Sequence, residues 1–331
     1  MPLKSLLQVF KSRDKGASSS SRLRVAVIGA GRMGQFHLKH LSKHRSVVLS
    51  GIVDASVERR ESLARKYKTT ALADPSALIG QIDAAIIATP TSTHRAVGEP
   101  LLTAGISCLI EKPLASTLED AEALIRAATA SGAILQVGHI ERFNPAVIEA
   151  ARHINNPQFI EVNRLGPYDP RVADVGVVLD LMIHDLDIVL FLVGRPVTRV
   201  EAFGAKVLSN HEDIAKVRLH FDGGCIADLS ASRISIKKYR KIRIFQKNAY
   251  LTLDYAASEL QIYKKKSDVV KSLSDIHILK PRLPKRDPLA MEQDHFFECV
   301  REGKTPLVSG KHGRDAIELA HEVLANLIIH A

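Results

Sequence analysis

A glycine-rich hexapeptide between a short apolar run and a helical stretch places the strongest constraint on the fold. Gly29-Ala30-Gly31-Arg32-Met33-Gly34 follows the β-branched segment Arg24–Ile28 and opens the stretch Met33–Lys43. In such a loop the first glycine permits a tight turn, the second lets the backbone approach a pyrophosphate, and the third lets helix and strand pack closely. The N–H groups of the helix N-terminus bind the phosphates. We therefore predict a dinucleotide site formed by Gly29, Gly31, Arg32, Met33 and Gly34.

An acidic residue after the second apolar run bears on which dinucleotide binds. Asp54 lies twenty residues beyond Gly34 and directly follows the strand-like segment Val47–Val53. A carboxylate there accepts hydrogen bonds from the ribose 2′-hydroxyl of NAD and repels the 2′-phosphate of NADP. Arg59 and Arg60 can reach a 2′-phosphate, although both also fit a solvated helix surface. We predict NAD as the cofactor and keep NADP as the alternative.

Apolar runs over the first half predict the architecture around this loop. Short β-branched runs alternate with longer helical stretches, which is typical of a doubly wound parallel sheet. The predicted strands are Arg24–Ile28, Val47–Val53, Ala84–Ala88, Cys108–Ile110 and Ala133–Val137. The predicted helices are Met33–Lys43, Val57–Lys66, His94–Ala104 and Leu118–Ser131. We expect an α/β fold whose N-terminal Rossmann domain spans residues 22–143, with all strand carboxyl ends at one edge.

After Pro145 the pattern changes to strands that follow one another closely. The predicted strands are Phe159–Arg164, Val200–Val207, Ala215–Phe221, Cys225–Ser230, Ile242–Phe245 and Ala249–Leu253. The predicted helices are 145–154, Leu179–Val193, Asp287–Glu302 and Gly313–Ile329. The turn Asp222-Gly223-Gly224 indicates a hairpin. These features predict a C-terminal α+β domain, residues 144–331, with an open, mostly antiparallel sheet and helices on one face. Lys264–Lys285 is basic and irregular, which predicts a solvated loop or, alternatively, a loop that closes over an anionic substrate.

Charge and cysteine content argue against several classes of protein. The net charge is +10, but residues 1–24 hold six basic residues and one acid, so half of the excess lies there. The remainder suits an anionic cofactor or substrate and does not predict nucleic-acid binding, since no long basic helix occurs. Cys108, Cys225 and Cys299 are odd in number and lack Cys-x-x-Cys spacing. This predicts no disulfide framework and no metal site, and it favours a reducing cytoplasm.

The first 21 residues form a basic, serine-containing leader. They lack the continuous apolar segment of a signal peptide, so we predict a flexible extension, with a membrane-touching helix over Pro2–Ser12 as the alternative. The longest apolar stretches elsewhere, Val175–Met182 and Ile188–Val193, are too short to cross a bilayer. We therefore predict no membrane span.

Two further motifs carry side chains with catalytic chemistry. Glu111-Lys112-Pro113 ends a predicted strand, and Asp180-Leu181-Met182-Ile183-His184 lies in the second half. With the glycine loop, these motifs resemble in kind and order those of the glucose–fructose oxidoreductase/inositol dehydrogenase (Gfo/Idh/MocA) family, over nearly the whole chain from Arg22. Thr89-Pro90-Thr91-Ser92-Thr93-His94 resembles the family's cofactor-edge loop. The resemblance implies cofactor contacts at Thr89, Pro90, His94, Glu111 and Lys112.

The resemblance and side-chain chemistry together imply roles for three residues. His184 takes the proton of a sugar hydroxyl while hydride leaves the same carbon, a role that suits histidine because its ordinary pKa lies near neutrality. Asp180, four residues earlier on the same helix face, orients or polarises the substrate. Lys112 stabilises the developing alkoxide. The structural alternative makes His184 a hydrogen-bonded core residue and Lys112 a solvated strand-end residue. The family often has two glycines ahead of Asp180, where this chain has Val175-Gly176.

The stretch Val137–Pro145 bears on the substrate. Together with Leu181–Asp187, it resembles the branch of the family that oxidises the 3-hydroxyl of UDP-N-acetylglucosamine to a ketone. Arginine suits a phosphate and asparagine suits sugar hydroxyls. The predicted substrate ligands are Arg142, Asn144, Arg164, Arg171, Asp180 and His184. The alternative treats Asn144 as a helix cap before Pro145 and the arginines as solvated loop residues.

The resemblance also implies partners and leaves rival functions open. It implies a dimer or tetramer, and a separate aminotransferase that acts on the ketone in making 3-amino sugars for lipid A. The first rival is a dehydrogenase of the same family that acts on another sugar, inositol or a polyol. The second is a dinucleotide-binding sensor without turnover, since a Rossmann fold alone does not fix function.

Overall fold

The computed structural model describes residues 22–169 and 175–329. It divides into two compact units. The first unit contains residues 22–140 and 287–317, and the second contains the described residues 141–169, 175–286 and 318–329. The predicted leader, residues 1–21, lies outside the described residues.

In the described part of the first unit, six strands form one parallel sheet. They are β1 (Leu23–Ile28), β2 (Val47–Val53), β3 (Thr70–Leu72), β4 (Ala84–Ile87), β5 (Ser107–Glu111) and β6 (Leu135–Gly138), in the order β3-β2-β1-β4-β5-β6. The helices between them are α1 (Arg32–Leu41), α2 (Val57–Tyr67), α3 (His94–Thr103) and α4 (Leu118–Ser131). Strand order reverses between β1 and β4, which confirms the predicted doubly wound sheet. Sequence reasoning missed only the short edge strand β3.

Local capping explains where the helices begin. The hydroxyl of Thr117 accepts a hydrogen bond from the backbone N–H of Asp120 at 3.1 Å, and Glu119 and Asp120 occupy the first turn of α4. Ser56 caps α2 in the same way through the N–H of Arg59 at 3.3 Å. Both contacts satisfy N–H groups that have no partner within the helix.

The second unit contains a larger, mixed sheet. It follows α5 (Pro145–His153) and contains β7 (Phe159–Leu165), a π-helical turn (Val178–Met182) and α6 (Ile183–Val193). The remaining strands are β8 (Val197–Ala205), β9 (Ile214–Phe221), β10 (Ile226–Ser232), β11 (Tyr239–Gln246), β12 (Ala249–Asp254), β13 (Glu259–Lys265) and β14 (Ile276–Leu279). With a last strand, β15 (Leu327–Ile329), the order among the described residues is β14-β13-β12-β11-β7-β10-β9-β8-β15. Only β7 with β10 and β8 with β15 are parallel there, as expected for a mostly antiparallel sheet.

Among the described residues, helices cover one face of this sheet and leave the other face open. Along β9, Ala215, Val217, Leu219 and Phe221 are buried, whereas the residues between them are exposed or half-buried. The helix α5 contacts β12 and β13, and the π-helical turn contacts β10. The alternation therefore reflects a single hydrophobic core on the helix side.

The C-terminal elements differ from the sequence prediction. They are α7 (Pro288–Glu302), α8 (Gly310–Ala325) and β15 (Leu327–Ile329). The segment 287–317 groups with the first unit instead of completing the C-terminal domain. Phe296 and Phe297 of α7 are fully buried in a cluster with Val25, Val27 and Leu109 of the first sheet. The apolar face of α7 does not specify which sheet it covers, so the local pattern could not assign it.

Two local predictions need correction for similar reasons. The predicted helix Gly313–Ile329 ends at Ala325, because Leu327–Ile329 pair in parallel with β8. The predicted loop Lys264–Lys285 contains β14, which pairs with β13 through residues 262–265. Both strands are short, and tertiary pairing rather than local pattern forms them. Within the described residues, no helix combines the length and apolarity needed to span a bilayer.

Candidate active site

The glycine loop has the geometry of a dinucleotide cradle. Gly29 has φ of +87°, and a Cβ there would lie 2.6 Å from the backbone of Ala88 and Thr89. A Cβ on Gly34 would lie 1.9 Å from the carbonyl oxygen of Gly29. At Gly31, by contrast, no described atom comes within 4 Å of the Cβ position. The two outer glycines are therefore required by the protein itself, whereas Gly31 leaves space beside the N-terminus of α1 for a pyrophosphate.

The helix that follows this loop carries the other two predicted loop residues. Arg32 is exposed at the first position of α1 and its guanidinium carbon lies 6.0 Å from the centre of the Phe36 ring. Met33 is half-buried beside it. No side chain caps α1 at Gly31, so the first N–H groups of the helix are available to an anion.

Asp54 stands at the end of β2, where its carboxylate meets the glycine loop. One oxygen accepts a hydrogen bond from the N–H of Ala30 at 2.7 Å, and the other accepts one from the N–H of Ser56 at 2.8 Å. Arg59 donates to the same carboxylate at 3.2 Å, and Arg60 donates to the backbone oxygen of Asp54 at 3.1 Å. Both arginines that could serve a 2′-phosphate are thus bound to Asp54, which favours NAD over NADP.

His94 ties two cofactor-edge loops together. Its ring is 1% exposed, with Nε2 3.0 Å from the carbonyl oxygen of Thr89 and Nδ1 3.0 Å from that of Pro113. Burial lowers its pKa. The structure therefore gives this side chain a positioning role, in place of the direct cofactor contact expected from the sequence. Thr89 is half-buried and Pro90 is exposed at the carboxyl end of β4, where a cofactor contact remains our proposal.

Glu111 belongs to a buried hydrogen-bond chain. Its Oε1 lies 2.8 Å from Nε2 of His37 on α1, and Nδ1 of His37 lies 2.8 Å from the amide nitrogen of Gln293 on α7. Since the Gln293 amide donates to Nδ1, His37 carries its proton on Nε2 and donates it to Glu111. The other Glu111 oxygen accepts from the N–H of Lys112 at 3.3 Å. Glu111 thus holds the strand end from which the half-buried Lys112 extends, and the Lys112–Pro113 peptide bond is cis.

A second carboxyl group, that of Glu292 on α7, lies fully buried in the same unit. Neither of its side-chain oxygens has a hydrogen-bond partner among the described residues. Burial, and next the charge of Glu111, raise the pKa of Glu292 well above its ordinary range. Burial without a hydrogen-bond partner therefore favours the neutral, protonated form of Glu292. No sequence signal pointed to His37, Gln293 or Glu292, because they lie on helices distant in sequence from Glu111.

Asp180 and His184 lie on one helical segment of the second unit. Asp180 is within the π-helical turn and His184 is the second residue of α6, and both are half-buried. The sequence predicted an ordinary α-helix here. The π-helical turn, with its i to i+5 hydrogen bonds, still leaves the two side chains about one turn apart, and such turns are frequent at functional sites.

Glu212 fixes the start of this segment. Its side-chain oxygen accepts from the N–H of Val178 at 3.1 Å, and its backbone oxygen accepts from the N–H of Val177 at 3.0 Å. A Cβ on Gly176 would lie 2.0 Å from the Glu212 carboxylate. Of the Val175-Gly176 pair, the second position is therefore the one where any Cβ would displace the Glu212 carboxylate from its contact with Val178. Glu212 lies 32 residues from Asp180, and sequence reasoning missed it.

Arg142 and Arg164 do not present free guanidinium groups. Arg142 bonds Asp187 through two contacts of 2.6 and 2.7 Å, and both side chains are at most 2% exposed. Arg164 bonds Asp185 through two contacts of 2.7 Å and reaches Glu141 at 3.2 Å. Because these buried cations are already compensated, they anchor the segment that carries His184. This replaces the phosphate contacts expected from the sequence.

The remaining predicted substrate ligands separate into two cases. The side chain of Asn144 accepts from the N–H of Ala146 at 3.0 Å, and Pro145 is the first residue of α5. Asn144 is 4% exposed, so the helix-cap alternative describes it and a contact with sugar hydroxyls does not. Arg171 lies outside the described residues. Among the described residues, no group of three or more acidic, histidine or cysteine side chains could hold a metal.

Comparison with known families covers both units. Residues 23–139 match the oxidoreductase family model described as an NAD-binding Rossmann fold, and residues 147–252 match the GFO/IDH/MocA C-terminal domain. A UDP-N-acetylglucosamine 3-dehydrogenase of Acidithiobacillus ferrooxidans is 35% identical over 303 residues, 91% of this chain and 96% of that protein. A scyllo-inositol 2-dehydrogenase (NAD(+)) of Bacillus subtilis is 30% identical over 313 residues, 87% of this chain and 89% of that protein.

Solved structures agree with these matches. One of the UDP-N-acetylglucosamine 3-dehydrogenase GnnA from Acidithiobacillus ferrooxidans superposes with a TM-score of 0.87 at 34% identity, covering 93% of this chain and 98% of that one. A levoglucosan dehydrogenase in complex with NADH and levoglucosan shares the fold with a TM-score of 0.83 at 20% identity, covering 92% of this chain and 97% of that one.

The glycine cradle with Asp54, in a unit that matches the NAD-binding Rossmann family model, places the chain among the NAD-dependent oxidoreductases. The chain belongs to the Gfo/Idh/MocA oxidoreductase family. It is an enzyme of that family, its cofactor is NAD, and its substrate class is that of the sugar and inositol dehydrogenases.

Proposed function

We propose that the protein oxidises the 3-hydroxyl of UDP-N-acetylglucosamine to a ketone with NAD. The observation that carries this proposal is the near full-length similarity to the Acidithiobacillus UDP-N-acetylglucosamine 3-dehydrogenase, in sequence and in fold. The resemblance of the stretches Val137–Pro145 and Leu181–Asp187 to this branch of the family agrees with it.

The chemistry assigns a task to each side chain. Bound NAD supplies the acceptor for the hydride that leaves the carbon bearing the hydroxyl. His184 removes the hydroxyl proton through a ring nitrogen, and Asp180 holds the substrate hydroxyl in line with that nitrogen. Lys112 places a positive charge beside the oxygen as negative charge develops there.

The structure explains how these groups are held. Glu111 fixes the backbone of Lys112, and His94 joins the loops after β4 and β5. In the second unit, Glu212 fixes the turn that carries Asp180, while Asp185 and Asp187 pin α6 through the buried arginines. Rigid support of this kind keeps the reacting groups oriented, so that little entropy is lost in aligning them during the reaction.

Substrate profiling tests the proposal. The enzyme is mixed with NAD and UDP-N-acetylglucosamine, together with a glutamate-dependent aminotransferase that removes the ketone, and NADH absorbance is followed. The trap is needed because alcohol oxidation by NAD is unfavourable at equilibrium. We expect NADH with UDP-N-acetylglucosamine and none with free N-acetylglucosamine or inositol. A signal from a free sugar or polyol alone would contradict the proposal.

A second candidate substrate is a free cyclitol such as scyllo-inositol. Two observations favour it: the similarity to the Bacillus inositol dehydrogenase, and the engagement of Arg142 and Arg164 in ion pairs rather than with a phosphate. The same profiling experiment separates the two candidates, because a cyclitol dehydrogenase would reduce NAD without the nucleotide.

We propose that a second copy of the chain covers the open face of the large sheet, giving a dimer or tetramer. An aromatic row crosses this face, with ring centroids 5.8 Å apart for Phe159 and Phe245, 4.8 Å for Phe245 and Tyr250, and 5.3 Å for Tyr250 and Tyr263. Phe203, on the open face of β8, is 49% exposed. Apolar surface of this kind marks an interface. Light scattering after size exclusion should give a multiple of 36.3 kDa, the mass of one chain.

The proposed product also implies a neighbour in metabolism. A 3-keto nucleotide sugar is the substrate of an aminotransferase, so we propose that such an enzyme consumes the product on the way to 3-amino sugars of lipid A. We propose a cytoplasmic location, since Cys108, Cys225 and Cys299 are all buried free thiols.

A further inference from the structure

A third arginine, Arg240, lies beside the buried Arg164–Asp185 pair, and sequence reasoning did not single it out. Arg240 on β11 pairs in register with Arg164 on β7. The next residues of the same face, Ile242 opposite Val162 and Ile244 opposite Ile160, are all buried in the core. Arg240 and Arg164 therefore point to the helix-covered side of the sheet, where the segment carrying Asp180 and His184 lies.

The two arginines differ in how their charges are compensated. Arg164 is buried against Asp185 and Glu141. Arg240 is half-buried, and within the described residues no hydrogen bond or ion pair reaches its guanidinium. Its backbone is fixed, because its carbonyl oxygen accepts a hydrogen bond from the N–H of Tyr255 at 3.0 Å. Among residues 22–169 and 175–329, the guanidinium of Arg240 thus keeps its donors available.

This arrangement carries a cost in stability. Like charges directly opposite on neighbouring strands repel, and a partly buried cation without a partner loses solvation. Both effects lower the pKa of Arg240, burial first and then the charge of Arg164, while Glu141, Asp185 and Asp180 act in the opposite sense. Residues that destabilise the folded protein are expected at functional sites, and an arginine of this kind fits a role in binding an anion.

We propose that Arg240 binds the diphosphate of the nucleotide-sugar substrate. This rests on the proposed function and deepens it, because it supplies the phosphate ligand that Arg142 and Arg164 cannot be. A planar guanidinium donates two parallel hydrogen bonds to a phosphate or a carboxylate. Asp180, which holds the reacting sugar in the proposed reaction, lies on the same side of the sheet as Arg240. Phosphates and carboxylates are both oxyanions that a guanidinium binds. We assign the diphosphate of the substrate as the ligand of Arg240.

The experiment compares Arg240→Met with wild type in binding and in turnover. Titration calorimetry measures the affinity for UDP, for glucuronate as a free sugar carboxylate, and for NADH. Arg195→Gln serves as the control, because Arg195 is an exposed arginine of the same unit whose nearest acid is Asp222 at 3.8 Å. For Arg240→Met we expect UDP affinity to fall and the KM for UDP-N-acetylglucosamine to rise about ten- to hundredfold. NADH affinity and kcat should change less than about threefold.

Thermal unfolding separates binding from a structural role. Because Arg240 opposes another arginine, Arg240→Met should keep or raise Tm, whereas loss of a structural contact would lower it. Unchanged UDP affinity in the variant, absence of UDP binding to wild type, or an effect on glucuronate alone would each overturn the diphosphate assignment. If wild type binds UDP through Arg240 but does not reduce NAD with UDP-N-acetylglucosamine, the proposed reaction fails while this inference stands.

Discussion

Arg142 and Asp187 form a two-point ion pair in which the side chains are only 2% and 1% exposed. The pair joins the residues just before α5 to the helix that carries His184. Arg142 also lies over the Phe191 ring, with its guanidinium carbon 4.7 Å from the ring centre. An arrangement with this much burial anchors the segment that carries His184.

Breaking this pair should destabilise the enzyme strongly. Arg142→Met leaves the Asp187 carboxylate buried without its partner, and we expect the unfolding free energy to fall by about 3–5 kcal/mol. Chemical denaturation measures the change. In the double variant Arg142→Met/Asp187→Leu the uncompensated charge is removed as well, so the unfolding free energy should recover in part. If the losses of unfolding free energy in the two single variants simply add in the double variant, the two side chains do not act as a pair.

The glycine loop allows a test that separates folding from cofactor binding. Gly34→Ala places a Cβ 1.9 Å from the Gly29 carbonyl oxygen, so it should lower Tm and abolish NAD binding together. Gly31→Ala meets no described atom within 4 Å, so it should leave Tm unchanged and weaken NAD about tenfold by filling the pyrophosphate space. Scanning calorimetry and NADH fluorescence give the two readouts. Equal loss of Tm in both variants would rule out the cradle interpretation.

The roles of the glycine loop and Asp54 could be predicted because the residues that indicate them lie close together in the sequence. A strand, three glycines, a helix and an acid lie within 32 residues, and each has one physical role. Arg142 and Arg164 could not be interpreted in this way, since their partners are 45 and 21 residues away. Arginines that bind phosphate and arginines that bind a buried carboxylate look the same in sequence. The unit to which α7 belongs could not be predicted from the sequence either, because an apolar helix face does not specify the sheet it covers.

Glu292 predicts an unusual dependence of stability on pH. The folded protein keeps its carboxyl group protonated well above the ordinary value of 4.5, at which the unfolded chain releases the proton. The contribution of the Glu292 carboxyl group to the unfolding free energy is therefore complete below pH 4.5. It is lost as the pH rises toward the pKa of this group in the folded protein.

The isosteric variant Glu292→Gln removes this dependence. Relative to wild type it should gain up to about 1.4 kcal/mol of unfolding free energy per pH unit above the unfolded pKa. Tm measured from pH 5 to pH 8 should show the two proteins diverging with rising pH. Parallel curves would mean that Glu292 does not titrate as the structure indicates.

Lys112 gives a test of the catalytic assignment. Replacing it by Met removes the charge beside the developing alkoxide, and we expect kcat to fall by about 10² to 10³. NADH affinity should stay within about threefold, because the glycine cradle and Asp54 bind the cofactor independently of this side chain. Steady-state kinetics and fluorescence titration measure the two effects. Near-normal turnover would remove Lys112 from the chemistry.

In the proposed reaction, a hydride leaves carbon 3 of a nucleotide-linked sugar. The most direct test uses UDP-N-acetylglucosamine deuterated only at that carbon, with NAD and the aminotransferase trap, and determines the mass of the reduced cofactor. We predict that the deuterium appears in the NADH, which becomes one mass unit heavier, and that turnover slows with the labelled substrate. Unlabelled NADH formed from this substrate would place the oxidation at another carbon and contradict the proposed reaction.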